Sequence, residues 1–297
     1  MAITALPLDC WLKERLKNWV QLSGHEGSIV PASNQTLWKR RSSSDYNEAN
    51  AYRSIMQDNA LKGFTPRFYK EIDYKNESFI EIEDLTTQFT NPAIMDIKIG
   101  TRTFLESEVK NVVLRPDLYK KMIAQNPDEP TEEEHSAKAI TKLRYMQFRE
   151  NESSSASLGF RIEAAKMPGG KLQKSFKKVK SPDDVAKALM EFYGDRASAV
   201  TKQFLIRLKR LREAIEESKF FETHEVVGSS LLFIYDSTKA GVWMIDFAKS
   251  TPVEGNGINH RLEWVMGNHE DGYLIGLDNL IRILDEMASR FVPVVSR

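Results

Sequence analysis

Residues 92–100, PAIMDIKIG, constrain the fold most, because they place an acid and a base within a stretch that is otherwise typical of a buried strand. Positions two apart in a strand face the same side, so Asp96 and Lys98 are predicted to project together while Met95 and Ile97 face the opposite layer. A structural ion pair at a strand edge would explain both charges. The functional alternative is that a charged substrate meets the pair and offsets the cost of burying it.

The composition is that of an ordinary globular protein and argues against one large class of function. The chain has 297 residues, of which 41% are hydrophobic and 28% charged, enough for one large domain or two lobes. Its 42 basic residues balance 42 acidic ones, whereas a general nucleic-acid binder usually has a basic excess. We therefore expect no nucleic-acid partner, although a neutral total can conceal a basic cleft.

Cysteine, histidine and apolar patterning indicate a cytoplasmic protein. The single cysteine, Cys10, excludes an intramolecular disulfide and fits a reducing compartment. The five histidines are scattered, which argues against a zinc site. No apolar run approaches the roughly 20 residues that cross a bilayer, and the first residues lack the basic region of a secretory signal. We expect no membrane span.

The order of predicted elements divides the chain into an N-terminal segment and two lobes. Residues 1–18 are predicted to be helical, and residues 19–88 to form a small β-rich lobe with one helix and a hairpin about the turn at 75–76. Residues 89–297 are predicted to form a larger α/β lobe. This lobe holds a polar, helical insert at about residues 107–152.

Two further charged side chains indicate a nucleotide site. In WMIDFAKS, Asp246 ends a hydrophobic strand and is followed by an aromatic residue and then by Lys249. Kinases hold magnesium over phosphates with a carboxylate placed in this way, although an N-capping aspartate after a strand has the same pattern. Lys39, on an apolar strand of the small lobe, could reach the α- and β-phosphates of a nucleotide. Its default interpretation is an ordinary exposed lysine.

The insert carries a second set of charged residues. Lys142, Tyr145 and Arg149 are spaced to share one helix face, which could grip several phosphates or could simply be solvated. A T-x-x-E capping box at 131–134 predicts where an earlier helix of the insert begins. Beyond the insert, Lys166 ends the strand FRIEAAK and is predicted to share a face with Phe160, Ile162 and Ala164, where core residues are expected.

Together these residues resemble the inositol polyphosphate kinase family, and within it the inositol 1,4,5-trisphosphate 3-kinases. The stretch from Pro92 to Gly100 matches the family's P-x-x-x-D-x-K-x-G signature, and SSLLF and IDF match two further hallmarks in the expected order. The similarity runs from about Trp19 to Met287. Its other segments are WVQLSGHEGS, PTEEEH, RYMQFRE, SSSASLGFRIE and NHEDGYLIGLDNLI.

The resemblance implies an α+β, two-lobed, protein-kinase-like (ATP-grasp-like) fold with a helical insert that binds inositol phosphate. It also implies transfer of the ATP γ-phosphoryl group, with Mg²⁺, to the 3-hydroxyl of inositol 1,4,5-trisphosphate. The product would be inositol 1,3,4,5-tetrakisphosphate, which links the activity to calcium signalling.

Roles carry over from the family to matching positions. Asp96 would accept or orient the proton of the hydroxyl, and Lys98 would neutralise charge on the transferred phosphoryl group. The nucleotide would be bound by Ser28, Lys39, the hinge Glu83, Asp84 and Leu85, and by Asp96 and Asp246, the last of which would hold the metal. The inositol phosphates would be bound by Lys98, Arg115, Lys142, Tyr145, Arg149, Lys166 and Lys249. The chain departs from the family at Ala248, where glycine is usual after IDF.

Two other functions share part of this evidence. A broader inositol polyphosphate multikinase is one, but the long insert should wall the site and restrict which isomers enter. A non-catalytic inositol-phosphate binding module is the other, but it would not need Lys39, Asp96 and Asp246 together.

Calmodulin with Ca²⁺ is a candidate regulatory partner. The segment Trp11–Val20 combines bulky anchors with basic residues, like helices that lie in calmodulin grooves, and YKKMIA in the insert is a weaker candidate. The alternative is a helix that docks on the protein's own surface.

Overall fold

The computed structural model describes residues 22, 27–41, 47–255 and 257–291. The predicted helical segment at 1–18 and the candidate calmodulin-binding stretch Trp11–Val20 lie outside these residues.

A four-stranded antiparallel sheet and one helix form the small lobe. The strands pair in the order β1–β2–β4–β3. The turn between β3 and β4 has φ values of 50° at Lys75 and 64° at Asn76, the left-handed backbone that a tight two-residue hairpin requires. The predicted hairpin is confirmed. The elements are β1 (Ile29–Pro31), β2 (Thr36–Arg40), α1 (Asn47–Gln57), β3 (Phe68–Tyr74) and β4 (Glu77–Glu83).

After a short 3-10 helix, Leu85–Gln88, the chain forms the first strand of the large lobe and then the insert. The insert has a small apolar core of its own, made by Leu118, Tyr119, Met122, Ile140 and Phe148. The predicted capping box is confirmed, because Thr131 and Glu134 each accept a hydrogen bond from the other's backbone. The elements are β5 (Ala93–Ile99), α2 (Glu106–Val109), β6 (Leu114–Arg115), α3 (Pro116–Gln125), α4 (Glu132–Ala137), β7 (Ile140–Thr141), α5 (Lys142–Asn151) and α6 (Ser155–Leu158).

A five-stranded antiparallel sheet organises the large lobe, in the order β12–β11–β5–β8–β9. Strand β5, which carries the opening motif, is therefore its central strand. One apolar core runs from the small lobe through this sheet to the packed helices α8 and α10. The remaining elements are β8 (Phe160–Lys166), β9 (Leu172–Gln173), α7 (Pro182–Tyr193), α8 (Ala197–Glu217), α9 (Lys219–Thr223), β10 (His224–Val227), β11 (Ser230–Tyr235), β12 (Ala240–Ile245), β13 (Lys249–Pro252) and α10 (Tyr273–Ser289).

Two backbone breaks separate β10 from β11 and β12 from β13. Gly228 has φ 71° and Asp246 has φ 67°. The strand before Gly228, β10, and the strand after Asp246, β13, pair with each other as a separate two-stranded sheet. For a non-glycine residue this backbone costs about 1–3 kcal/mol and is typical of functional sites. The breaks lie at the edge of the cavity described below. Within the described residues, no helix has the length and apolarity needed to cross a membrane.

Candidate active site

A cavity of about 690 Å³ opens between the two sheets and is bordered by helix α5 of the insert. This volume is within the usual range for small-molecule sites. Its walls bring together residues that are far apart in sequence. The predicted site residues on its walls are Ser28, Lys39, Glu83, Asp84, Leu85, Asp96, Lys98, Tyr145, Arg149, Asp246 and Lys249.

Strand β5 supplies the floor of the cavity. Ile94, Asp96 and Lys98 line it, whereas Met95 and Ile97 are fully buried in the core on the other face. The predicted alternation is therefore confirmed. Asp96 is only 1% exposed, and the Lys98 ammonium donates to the carbonyl of Gly228 at 2.9 Å, across the backbone break between β10 and β11.

A three-residue ion cluster joins the small lobe to the large one. The Lys39 Nζ atom lies 2.6 Å from a carboxylate oxygen of Glu48 and 2.6 Å from one of Asp246. Burial opposes the charge on Lys39, but Asp246 and Glu48 together hold the pKa of this lysine well above its ordinary value. Burial would likewise raise the pKa of Asp246, but Lys39 and Lys98 hold it below the ordinary value. Lys39 and Asp246 are therefore both charged at neutral pH.

Glu48 is a site residue that the sequence analysis missed. It stands in the first turn of α1 and is 2% exposed. Protein kinases pair a strand lysine with a helix glutamate in the same way. The sequence contained one signal for this role: Glu48 is an acid near the start of the helix that follows the strand of Lys39.

The hinge residues reach the cavity with their side chains already engaged. The carboxylate of Asp84 accepts from the backbone and the hydroxyl of Thr86 at 3.0 and 2.6 Å, and so caps the 3-10 helix. The carboxylate of Glu83 accepts from the Arg67 backbone and from Gln88. A ligand at the hinge would therefore meet main-chain atoms and Leu85.

On the insert side, Tyr145 and Arg149 of α5 line the cavity together with Arg161 and Glu163 of β8. Glu163 lies 2.7 Å from the Arg161 guanidinium and 3.7 Å from that of Arg149. Burial alone would raise the pKa of Glu163, but Arg161, Lys98 and Arg149 lower it. Arg161 and Glu163 were not predicted, although both lie in FRIE, a segment that carries the family resemblance.

The predicted orientation of Lys166 is wrong. Strand β8 contains a bulge, because Asp96 pairs with Ala164 while the next residue, Ile97, pairs with Ile162. The extra residue switches the alternation, so that Ala164 and Lys166 share the face of Asp96 rather than that of Ile162. Lys166 pairs with Ile94, beside the cavity rather than in the core, although it is not among the lining residues.

The remaining predicted residues are only partly brought together. Lys249 lines the cavity, and the carboxylate of Glu108 links it to Lys142 at the edge. Arg115 is not on the cavity wall. Its side chain is 48% exposed and forms two 2.8 Å hydrogen bonds to Asp117, so its role in binding substrate stays a prediction.

The site fits a magnesium ion held mainly by substrate phosphates. Among the described residues no group of three or more metal-ligating side chains is found. Mg²⁺ commonly keeps several waters and takes one or two protein carboxylates together with phosphate oxygens. Asp246 is suited to this, because its side chain is 33% exposed and faces the same cavity as Asp96.

Comparison with known proteins identifies the family. A family model described as inositol polyphosphate kinase matches residues 79–285. An inositol-trisphosphate 3-kinase homolog of Caenorhabditis elegans is 62% identical over 97% of this chain and 59% of its own length. Inositol-trisphosphate 3-kinase A of Rattus norvegicus is 45% identical over 96% of this chain and 62% of its own. The chain thus spans about three fifths of the length of these relatives.

A solved structure supports the predicted fold. Inositol phosphate multikinase Ipk2 from S. cerevisiae, in complex with ADP and Mn²⁺, aligns with a TM-score of 0.56 at 18% identity. The match covers 85% of this chain and 98% of that one. At this identity the likeness concerns the fold alone, and it confirms the predicted two-lobed, kinase-like α+β architecture.

Proposed function

The chain belongs to the inositol polyphosphate kinase family, and from this premise we propose that it transfers the γ-phosphoryl group of ATP to the 3-hydroxyl of inositol 1,4,5-trisphosphate in the cytoplasm. The observation that carries the proposal is the composition of one cavity. The Lys39–Asp246 pair lies on the same walls as Asp96, Lys98 and, from the insert helix, Tyr145 and Arg149.

The nucleotide would lie between the hinge and the ion cluster. Lys39 has a high pKa and two acidic partners, so it is a permanently charged group that can turn to the phosphates. Asp246 would hold Mg²⁺ together with phosphate oxygens, and the ion would supply charge neutralisation at the transferred group. Leu85 and the hinge backbone would contact the base.

Asp96 and Lys98 would act at the reacting atoms. The inositol 3-oxygen forms the new bond to the γ-phosphorus, its proton passes to the Asp96 carboxylate, and the bond to the β–γ bridging oxygen breaks, leaving ADP. Lys98 projects from the same face of β5 as Asp96, where its ammonium can neutralise the transferred group. Tyr145, Arg149 and Lys249 would hold the substrate phosphates with charge-assisted hydrogen bonds.

Product identification tests the proposal. Purified protein, ATP and inositol 1,4,5-trisphosphate should give ADP and inositol 1,3,4,5-tetrakisphosphate, resolved by ion-exchange chromatography and phosphorus NMR. Asp246→Asn should lower kcat by about a thousandfold or more, as expected for loss of a metal ligand. Asp285→Asn is a matched control, because that aspartate is exposed on α10 and pairs with Lys209.

Two results would reject this function. Comparable turnover at two different hydroxyls would indicate a broader multikinase. Substrate binding without any magnesium-dependent transfer would indicate a non-catalytic binding module.

We also propose calcium-dependent calmodulin binding through Trp11–Val20 rather than through YKKMIA of the insert. In the latter stretch Tyr119 and Met122 are buried in the insert core, and Tyr119 is hydrogen-bonded to His135. Those anchors could enter a calmodulin groove only if the insert unfolded. Calmodulin–agarose should retain the chain with Ca²⁺ and release it with a chelator, and a chain with Trp11→Ala and Trp19→Ala should not be retained.

A further inference from the structure

The carboxylate of Glu108 joins two predicted phosphate-binding lysines that come from separate parts of the chain. One of its oxygens lies 2.5 Å from the Nζ atom of Lys142, at the start of α5, and the other lies 2.6 Å from that of Lys249, at the start of β13. The second oxygen also accepts from the backbone of Leu105 at 2.9 Å. The short helix α2 thus fixes the carboxylate, and the carboxylate fixes both ammonium groups.

The carboxylate holds the two ammonium groups close together and favours the charged form of Lys249. Burial lowers the pKa of Lys249, and the like charges of Lys142 and Lys98 lower it further, whereas Glu108 raises it. Without Glu108, repulsion would separate the two ammonium groups or favour loss of a proton from Lys249. The side chains of Glu108 and Lys249 are only 16% and 27% exposed, so water screens their charges less than it screens those of a surface ion pair.

Enough hydrogen-bond donors remain to bind an anion. An ammonium group has three N–H donors. Within the described residues, Lys142 donates one bond, to Glu108, and Lys249 donates two, to Glu108 and to the carbonyl of Thr103 at 3.3 Å. Three donors are left on the pair, and Lys249 and Thr103 both line the cavity. One carboxylate therefore prepares two cations without occupying all their donors.

We propose that Glu108 is a positioning residue that sets the spacing and the charge of a two-lysine clamp for one phosphate of the inositol phosphate. The inference rests on the proposed function. In the alternative, the Glu108 carboxylate would only imitate a phosphate and would compete with the substrate phosphate for the same two lysines.

Glu108→Gln tests the proposal with almost no change in shape. The amide oxygen can accept from one lysine, but the amide nitrogen cannot accept from the other. The KM for inositol 1,4,5-trisphosphate should rise by about tenfold or more, the factor expected for one charge-assisted hydrogen bond, with a smaller change in kcat. The alkaline limb of the kcat/KM profile should move to lower pH, and Glu108→Asp should restore part of both properties.

Glu129→Gln is the matched control. Glu129 pairs with Arg144 in the same insert, at 2.8 Å, and does not line the cavity. Its replacement removes the same charge from a salt bridge and should leave KM and the pH profile unchanged. A KM that falls in Glu108→Gln would establish competition and overturn the clamp, and so would an unchanged KM.

Lysine reactivity separates failure of the clamp from failure of the proposed function. The rate at which acetic anhydride modifies Lys249, followed by mass spectrometry against pH, reports its apparent pKa without any substrate. That pKa should fall in Glu108→Gln and stay constant in Glu129→Gln. An unchanged reactivity of Lys249 would refute the clamp even if the wild-type protein phosphorylated no inositol phosphate. A shifted reactivity in such an inactive protein would reject only the proposed activity.

Discussion

Replacing Lys39 by methionine tests the ion cluster that joins the two lobes. Methionine is similar in length but has no charge, so Lys39→Met leaves the carboxylates of Glu48 and Asp246 without the ammonium that lies 2.6 Å from each. Removing one partner of a buried ion pair typically costs about 3–5 kcal/mol, because the other charge stays buried.

The exposures of the two acids set the expected size of the effect. The Asp246 side chain is 33% exposed and can be solvated when Lys39 is lost, whereas that of Glu48 is 2% exposed and cannot. We therefore expect a value at the lower end, about 3 kcal/mol. For a chain of this size the melting temperature should fall by roughly 5 °C.

Two further measurements identify the cause of the loss. The folded state lowers the pKa of Asp246 below its ordinary value of 3.8, so the stabilisation from Lys39 is present above that pH and is lost as the pH falls below it, through the lower folded value. The difference between wild type and Lys39→Met, measured by calorimetry, should therefore shrink on acidification. Adding Glu48→Gln should recover part of the lost stability, since the buried negative charge that has lost its ammonium partner is then removed. A single variant as stable as the wild type, or a double variant whose loss equals the sum of the single losses, would refute this account.

Contacts outside the cavity give three more predictions. A Cβ atom at position 276 would lie 2.0 Å from the carbonyl oxygen of Gly159. Gly276→Ala should therefore lower the free energy of unfolding, measured in urea, by about 1–3 kcal/mol. An unchanged value would show that α10 can move at little cost. Burial lowers the pKa of His260, but Asp271 raises it above 6.5. The stabilisation from protonated His260 is then present below pH 6.5 and is lost as the pH rises through the pKa of His260 in the folded protein. Melting curves of wild type and His260→Gln should therefore converge at alkaline pH, and a constant difference would contradict this. Ser181→Ala removes the side-chain cap of α7 and should cost about 1 kcal/mol with kcat and KM unchanged, whereas a loss of activity would contradict a purely local role.

Features that depend on neighbours in sequence could be predicted well. Side-chain alternation along β5 requires only an extended backbone, so the shared face of Asp96 and Lys98 was predictable. The hairpin turn at 75–76 and the capping box at 131–134 are likewise set by a few adjacent residues. The fold was predicted correctly from the family motifs, in addition to these local features.

Features that depend on tertiary contacts could not be predicted. The bulge opposite Asp96 and Ile97 reverses the orientation of Lys166, and no turn residue in FRIEAAK marks it. The partner of Lys39 on α1 becomes visible only when the helix is placed over the sheet. Arg115 pairs with the neighbouring Asp117 and is not on the cavity wall, so the role that the motif assigned to it stays a prediction.

The acids that accompany each basic group explain how a chain without net charge can present a basic cavity. Five basic groups in and beside the cavity occur in three acid-bridged clusters: Lys39 with Glu48 and Asp246, Arg149 and Arg161 with Glu163, and Lys142 and Lys249 with Glu108. Each cluster has a formal net charge of only one unit, negative around Lys39 and positive in the other two. Such small charges are screened beyond the Debye length of about 8–10 Å, so the cavity attracts polyanions at long range more weakly than a basic groove does. Binding must then depend on N–H donors held at fixed positions, which a compact inositol phosphate can reach from inside the cavity.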